Sequence, residues 1–133
     1  VRLRVVITII AAATIVACNN PTGPDAVVGT PFALEVGATA SLPDDAQLRF
    51  DGVRADSRCP IDAVCITAGD ATIAVTLMRG SSREARELHT MPAQSQFSYS
   101  QYTVRLTELQ PYPQASRPTK PEDYVATFIV QNQ

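Results

Sequence analysis

The sequence predicts an all-β protein built as one antiparallel β-sandwich. Three observations carry that expectation. Beyond residue 31, short segments alternate apolar and polar side chains with a period of two, which is what a strand with one buried and one wet face requires. Clusters of Gly, Pro, Asp and Ser punctuate these segments, at the spacing of roughly 8–12 residues that sandwiches and barrels show. The chain has 133 residues, 45% of them apolar, enough for one core and too few for two. The expected architecture is an immunoglobulin-like sandwich of six to eight strands over residues 31–133, with a small β-barrel as the alternative.

The elements follow in order. Phe32, Leu34 and Val36 alternate with Ala33 and Glu35. Leu48 and Phe50 alternate with Arg49 and Asp51, and Gly52 marks a bulge before Val53. Ile73, Val75 and Leu77 form the next buried face, and Tyr102, Val104 and Leu106 another. The last segment, Tyr124 to Val130, is apolar on both faces, which places it centrally in a sheet. Leu42-Pro43-Asp44-Asp45 and Gly80-Ser81-Ser82 are turn signals. Pro111, Pro113, Pro118 and Pro121 forbid regular pairing in the connection before the last strand. Residues 82–90 read two ways. Ser81 to Glu84 fits a capping box and Arg83 with Glu87 has helical spacing. A strand folding back through Gly80 is favoured, because a helix of two turns is marginal.

The N-terminus has a different character. Arg2 and Arg4 precede thirteen apolar or small residues, Val5 to Ala17, and then Cys18-Asn19-Asn20-Pro21. A basic start and a short apolar run have the form of a secretory signal, and the run is short for a membrane span of roughly 20 residues. Ile15-Val16-Ala17-Cys18 resembles the lipobox of bacterial lipoproteins, with an aliphatic residue three before the cysteine and a small one directly before it. The resemblance implies cleavage after Ala17 and acylation of Cys18. Asn19, where Asp would mark inner-membrane retention, implies the periplasmic side of the outer membrane if the host has two membranes. The domain reading is therefore a signal peptide over 1–17, lipidated Cys18 with a flexible tether over 18–30, and the sandwich over 31–133. Loss of residues 1–17 removes Arg2 and Arg4 and leaves 9 basic and 13 acidic side chains, a formal −4. Such a balance excludes a phosphate-neutralising nucleic-acid binder.

Three cysteines is an odd number for an exported chain. With Cys18 acylated, Cys59 and Cys65 remain, and in an oxidising compartment they pair. Closing so short a loop stabilises by about 2.4 kcal/mol on chain entropy. A zinc site and a redox pair are the rival readings. Zinc asks for four ligands, and a redox pair for a Cys-x-x-Cys spacing that is not present here.

Asp56-Ser57-Arg58-Cys59-Pro60, then Cys65, then Ala68-Gly69 resembles a motif in small uncharacterised bacterial lipoproteins. The frame fits best over 48–77 and loosely over 32–130. Ile66-Thr67 stand where many such sequences carry an aromatic residue. The resemblance implies no particular activity.

The remaining chemistry is sparse. His89 is the one histidine, and no Gly-x-Ser-x-Gly elbow is present; a solvated polar role is expected for it. Asp51, Asp56, Asp62 and Asp70 cluster in sequence, but without EF-hand spacing; Asp56 is expected to cap a turn or pair with Arg58 or Arg54. Arg79, Arg83 and Arg86 are interleaved with Glu84 and Glu87, a mixed-charge solvated face. Tyr99, Tyr102 and Tyr112 offer aromatic contact, though some pack inward. The best site candidate is the stapled loop Pro60, Ile61, Asp62, Ala63 and Val64, pre-organised for contact with a partner. Its apolar Ile61 and Val64 are expected to fold under against the sandwich edge, with presentation to a partner as the alternative. The functional expectation is a lipid-anchored envelope protein with a non-enzymatic binding or structural role, without cofactor or metal, contacting the membrane through its acyl chains and an envelope protein through the loop. An envelope hydrolase, or a carrier of a metal or small ligand, is the alternative.

Overall fold

The computed structural model describes residues 23–133; Cys18, the lipobox and the signal segment lie outside the described residues. Eight strands form: β1 Phe32–Glu35, β2 Thr39–Leu42, β3 Ala46–Asp56, β4 Ala71–Arg79, β5 Ser82–His89, β6 Gln96–Tyr99, β7 Tyr102–Gln110 and β8 Val125–Asn132. They make two four-stranded sheets, ordered β2-β3-β4-β5 and β1-β8-β7-β6, with every neighbouring pair antiparallel. The sheets pack face to face as a sandwich. Neither β1 with β2 nor β5 with β6 is a hydrogen-bonded pair, so the barrel alternative is set aside. The immunoglobulin-like expectation holds at the level of architecture; β2-β3-β4-β5 and β6-β7-β8 are meanders, and β1 joins the second sheet by a non-consecutive pairing with β8.

The alternation read from the sequence gives the buried faces. Phe32 and Leu34, Leu48 and Phe50, Ile73, Val75 and Leu77, Val104 and Leu106, and Ala126, Phe128 and Val130 all enter one core. Phe128 lies at its centre, 5.9 Å from Phe32 and 6.4 Å from Phe50 between ring centroids. Strand β8 is central, between β1 and β7. Residues 82–89 form a strand, and the register of β3 slips between Phe50 and Gly52 as the bulge requires. Strands β2 and β6 escape the sequence reading. Each is four residues long, too short to show a convincing period.

The two open seams are closed differently. Between β1 and β2 the N-terminal segment fills the gap. Ala26 N–H donates to the Ser41 carbonyl (2.8 Å), Ser41 N–H to the Pro24 carbonyl (3.2 Å) and Gly29 N–H to the Val130 carbonyl (2.7 Å). Residues 24–30 are thus tied to both sheets, which corrects the reading of 18–30 as flexible tether throughout: they satisfy edge groups that would otherwise invite another strand. At the other seam, Glu84 and Arg86 stand opposite Leu77 and Val75 on the core-side face of β5. They form an ion pair (2.6 Å), and the Arg86 guanidinium lies 5.9 Å from the Phe97 ring centre in the facing sheet. A charged pair at the rim of the core protects an edge strand.

The two ends of the sandwich also differ. At one end, Pro43–Asp45, Gly80–Ser81 and Ser100–Gln101 are tight turns. At the other end lie the long loops 57–70, 90–95 and 111–124.

Candidate functional site

The long-loop end is organised around Arg58. Ser57 N–H donates to the Asp70 carbonyl (2.7 Å) and Cys59 N–H to the Ala68 carbonyl (2.8 Å), extending the β3–β4 hairpin past its last strand residues. Gly69 is required where these arms meet. Its φ is +70°, and a Cβ there would stand 1.9 Å from the Ser57 carbonyl oxygen. The Arg58 side chain then turns inward and is 7% exposed. Its Nε and Nη2 grip both oxygens of Asp56 (2.8 and 2.7 Å). Nη1 donates to the Leu109 carbonyl (2.6 Å) and Nη2 to the Pro111 carbonyl (2.9 Å). The Tyr112 ring covers the guanidinium at 4.7 Å, and the Tyr124 hydroxyl donates to Asp56 (3.0 Å).

A buried charge survives only when paired and hydrogen-bonded, and here both conditions are met. Burial pushes the Asp56 carboxyl up, but the bonds and charge of Arg58 outweigh it and hold the group below its usual range. Burial pushes Arg58 down, and Asp56 more than restores it. Asp56 pairs with Arg58 and also accepts from the Arg58 amide two residues on (3.2 Å), so the turn-capping and the pairing expectations both hold. The pair is a clamp between the β3–β4 loop and the β7–β8 loop.

A second clamp lies further out. The Ala115 amide (2.6 Å), the Ser116 amide (3.1 Å) and the Ser116 hydroxyl (2.8 Å) all donate to the Asp62 carboxylate. The amide of Ala115, then the Ser116 donors, lower Asp62 to about 2. Ile61 N–H also donates to the Pro113 carbonyl (3.0 Å). Between the clamps Cys59 and Cys65 form a disulfide, with Cα atoms 5.8 Å apart, and the Ala63 amide closes a turn onto the Pro60 carbonyl (3.2 Å).

With its polar groups turned toward residues 113–116, the loop turns its apolar side chains outward. Ile61 is 65% exposed, and Val64 and Ile66 are fully exposed at 104%. The expectation that Ile61 and Val64 fold under is therefore corrected: the bonds of Asp62 and of the Ile61 amide to residues 113–116 face the loop's polar side to the protein, and both side chains stand exposed. Ile66, at the place of the expected aromatic, was not singled out as a contact residue, and nothing in its local sequence distinguishes it. Half-exposed Met91 and Tyr112 belong to the same end. A cleft of about 270 Å³ lies beside the loop, lined by Arg58, Cys59, Gly69, Met91 and Tyr112 among others. A second of similar volume is lined by Tyr112, Arg117 and Asp123 among others.

The other candidates lie apart. Asp51 accepts from Arg49 and Thr76 (2.6 Å each) on the outer face of its sheet. Asp70 holds His89 Nδ1 and accepts from the Thr90 hydroxyl (2.9 Å) and the Met91 amide (3.1 Å). Partial desolvation raises Asp70, and these donors, His89 first, bring it below its usual range. His89 is thus a paired residue rather than a merely solvated one, and its two side-chain contacts, to Asp70 and Thr72, both fall on Nδ1. The four aspartates serve four separate sets of partners and do not converge. Tyr99 packs inward and Tyr102 lies against it (5.7 Å); of the three tyrosines, Tyr112 alone joins the stapled loop.

The chain matches no family model, no curated protein and no solved structure. Among the described residues no helix is long and apolar enough to cross a membrane.

Proposed function

We propose that the protein is a lipid-anchored component of a bacterial cell envelope that binds rather than catalyses, with the stapled loop as its contact surface. Acylated Cys18 supplies the anchor, on the periplasmic side of the outer membrane where the host has two membranes. One observation carries the binding role: Ile61, Val64 and Ile66 are exposed on a loop held rigid by a disulfide and two clamps. Isolated exposed apolar residues are ordinary, whereas several together mark a contact surface. A pre-organised loop also loses little entropy on docking. The turn closed by Ala63 and Pro60 favours contact through a knob over the extended, substrate-like strand of a protease inhibitor. A hydrolase built on His89 would need a nucleophile within reach of Nε2; the observed partners of the ring lie on Nδ1.

The test has two parts. Mass analysis of the mature chain and of a Cys18→Ser variant reads the anchor: acyl mass on the first and none on the second is the expected result. A photo-crosslinking residue in place of Val64, compared with one in place of Ser81 at the tight-turn end, reads the surface in intact envelopes. Adducts at 64 and none at 81 support it. Equal labelling of both positions, or of neither, overturns it.

A further inference from the structure

We propose that the loop tip Ile61–Ile66 seats in the surface of the same bilayer that holds the acyl chains of Cys18, making it a second membrane contact. This rests on the lipid-anchor reading above. Gly23 lies against the Thr39 carbonyl, and the chain from there runs parallel to β2, bridging at Asp25 and Ser41. It enters the fold travelling away from the long-loop end. Five peptide steps separate Cys18 from Gly23, a reach of at most about 17 Å. Thr39 stands level with Arg49 and Thr76. From that level to Ala71, where the long-loop end begins, is five strand residues, about 17 Å. The tether therefore holds the sandwich against the membrane, and its full extension just brings the base of the stapled loop to the level of Cys18. The tip then projects beyond that level, the interfacial depth of about 5–10 Å at which apolar side chains bind a bilayer surface.

The tight-turn end is also within reach, and chemistry decides between the two. That end presents Asp44, Asp45, Ser81 and Ser100, which gain nothing from lipid. The other presents Ile61, Val64 and Ile66, with Met91 and the amphipathic Tyr112 behind them. The one acid within the tip, Asp62, keeps its negative charge, but its carboxylate is hydrogen-bonded by the Ala115 amide and the Ser116 amide and hydroxyl.

The sequence contains no tryptophan, so a single introduced one is a clean reporter. Acylated full-length Val64→Trp, Ile66→Trp and, as control, Ser81→Trp are reconstituted into vesicles of phosphatidylethanolamine and phosphatidylglycerol, with and without bromine on the acyl chains. The expected result is a blue-shifted emission at 64 and 66, largely lost in brominated vesicles, with Ser81→Trp unshifted and unquenched. Protein that floats with the vesicles while 64 and 66 behave like 81 overturns the proposal and leaves the anchor standing; the tip then faces a protein. Quenching at all three positions overturns it too, since the contact would not be specific to the loop. Protein without acyl mass that does not float removes the anchor, and the proposal with it.

Discussion

The two ends of the sandwich are built from opposite kinds of information. At the tight-turn end each turn is solved locally. Asp44 and Asp45 sit at φ 60° and 53°, Gly80 at 55° and Ser100 at 49°, positive values that short polar residues and glycine tolerate. The contacts across the sheets there are light: the Tyr99 hydroxyl donates to the Pro43 carbonyl (3.3 Å) and the Ser100 hydroxyl to Asp44 (2.6 Å). At the long-loop end the local turns are joined by contacts between distant segments. Arg58 needs Leu109 and Pro111, and Asp62 needs Ala115 and Ser116, all more than fifty residues away. The same fold thus carries one end closed by tight turns and one end held by side-chain bonds between segments far apart in the chain. The rigid apolar loop belongs to the second.

The largest effect that would break this contrast is removal of the buried clamp. Arg58→Ala strands the Asp56 carboxylate and two backbone carbonyls. It is expected to cost about 3–5 kcal/mol, the range for breaking a buried pair by deleting one partner, read from denaturant unfolding. A cost near that of a surface pair would mean the long-loop end is not held from inside. Next come two glycines that make the same substitution at the two ends. Gly80→Ala has open space around it and pays only for its positive φ, about 1 kcal/mol. Gly69→Ala meets the Ser57 carbonyl as well and is expected to cost about 2 kcal/mol or more. Equal costs would erase the difference between the ends. Replacing Cys59 and Cys65 together by Ser is expected to cost about 2 kcal/mol, read from the same denaturant unfolding.

The smallest effect is a pH dependence. The Asp62 carboxyl is lowered from 3.8 to about 2, so its contribution is complete above pH 4 and is lost as pH falls toward 2. Asp56, also lowered, acts in the same direction. The amide protons of Ala115 and Ser116 should therefore lose protection in acid before those of β8. In Asp62→Asn they should be poorly protected at every pH, with the global unfolding midpoint unchanged. Protection that persists in the variant would show that the outer clamp does not depend on the charge.

The legibility of the fold follows the same division. Alternation exposed β3, β4, β7 and β8 because a half-buried strand leaves a period of two, and the apolar character of both faces of β8 marked it as central. The four-residue β2 and β6 left too few positions to read. At the site, the Asp56–Arg58 spacing and the cysteine pair were legible as local features. The outward display of Ile61, Val64 and Ile66 was not, because apolar composition cannot say which side of a loop faces the protein. That was decided by Asp62 drawing the polar side of the loop onto residues 115 and 116.

By itself, then, the sequence determined the class of fold, the core residues and the tight turns, since these depend on the order of side chains along short stretches. Tertiary structure alone decided that residues 24–30 belong to the domain and fill one seam between the sheets, and which face the stapled loop presents. Each of those rests on hydrogen bonds and buried charges between segments far apart in the chain, whose partners no local pattern names.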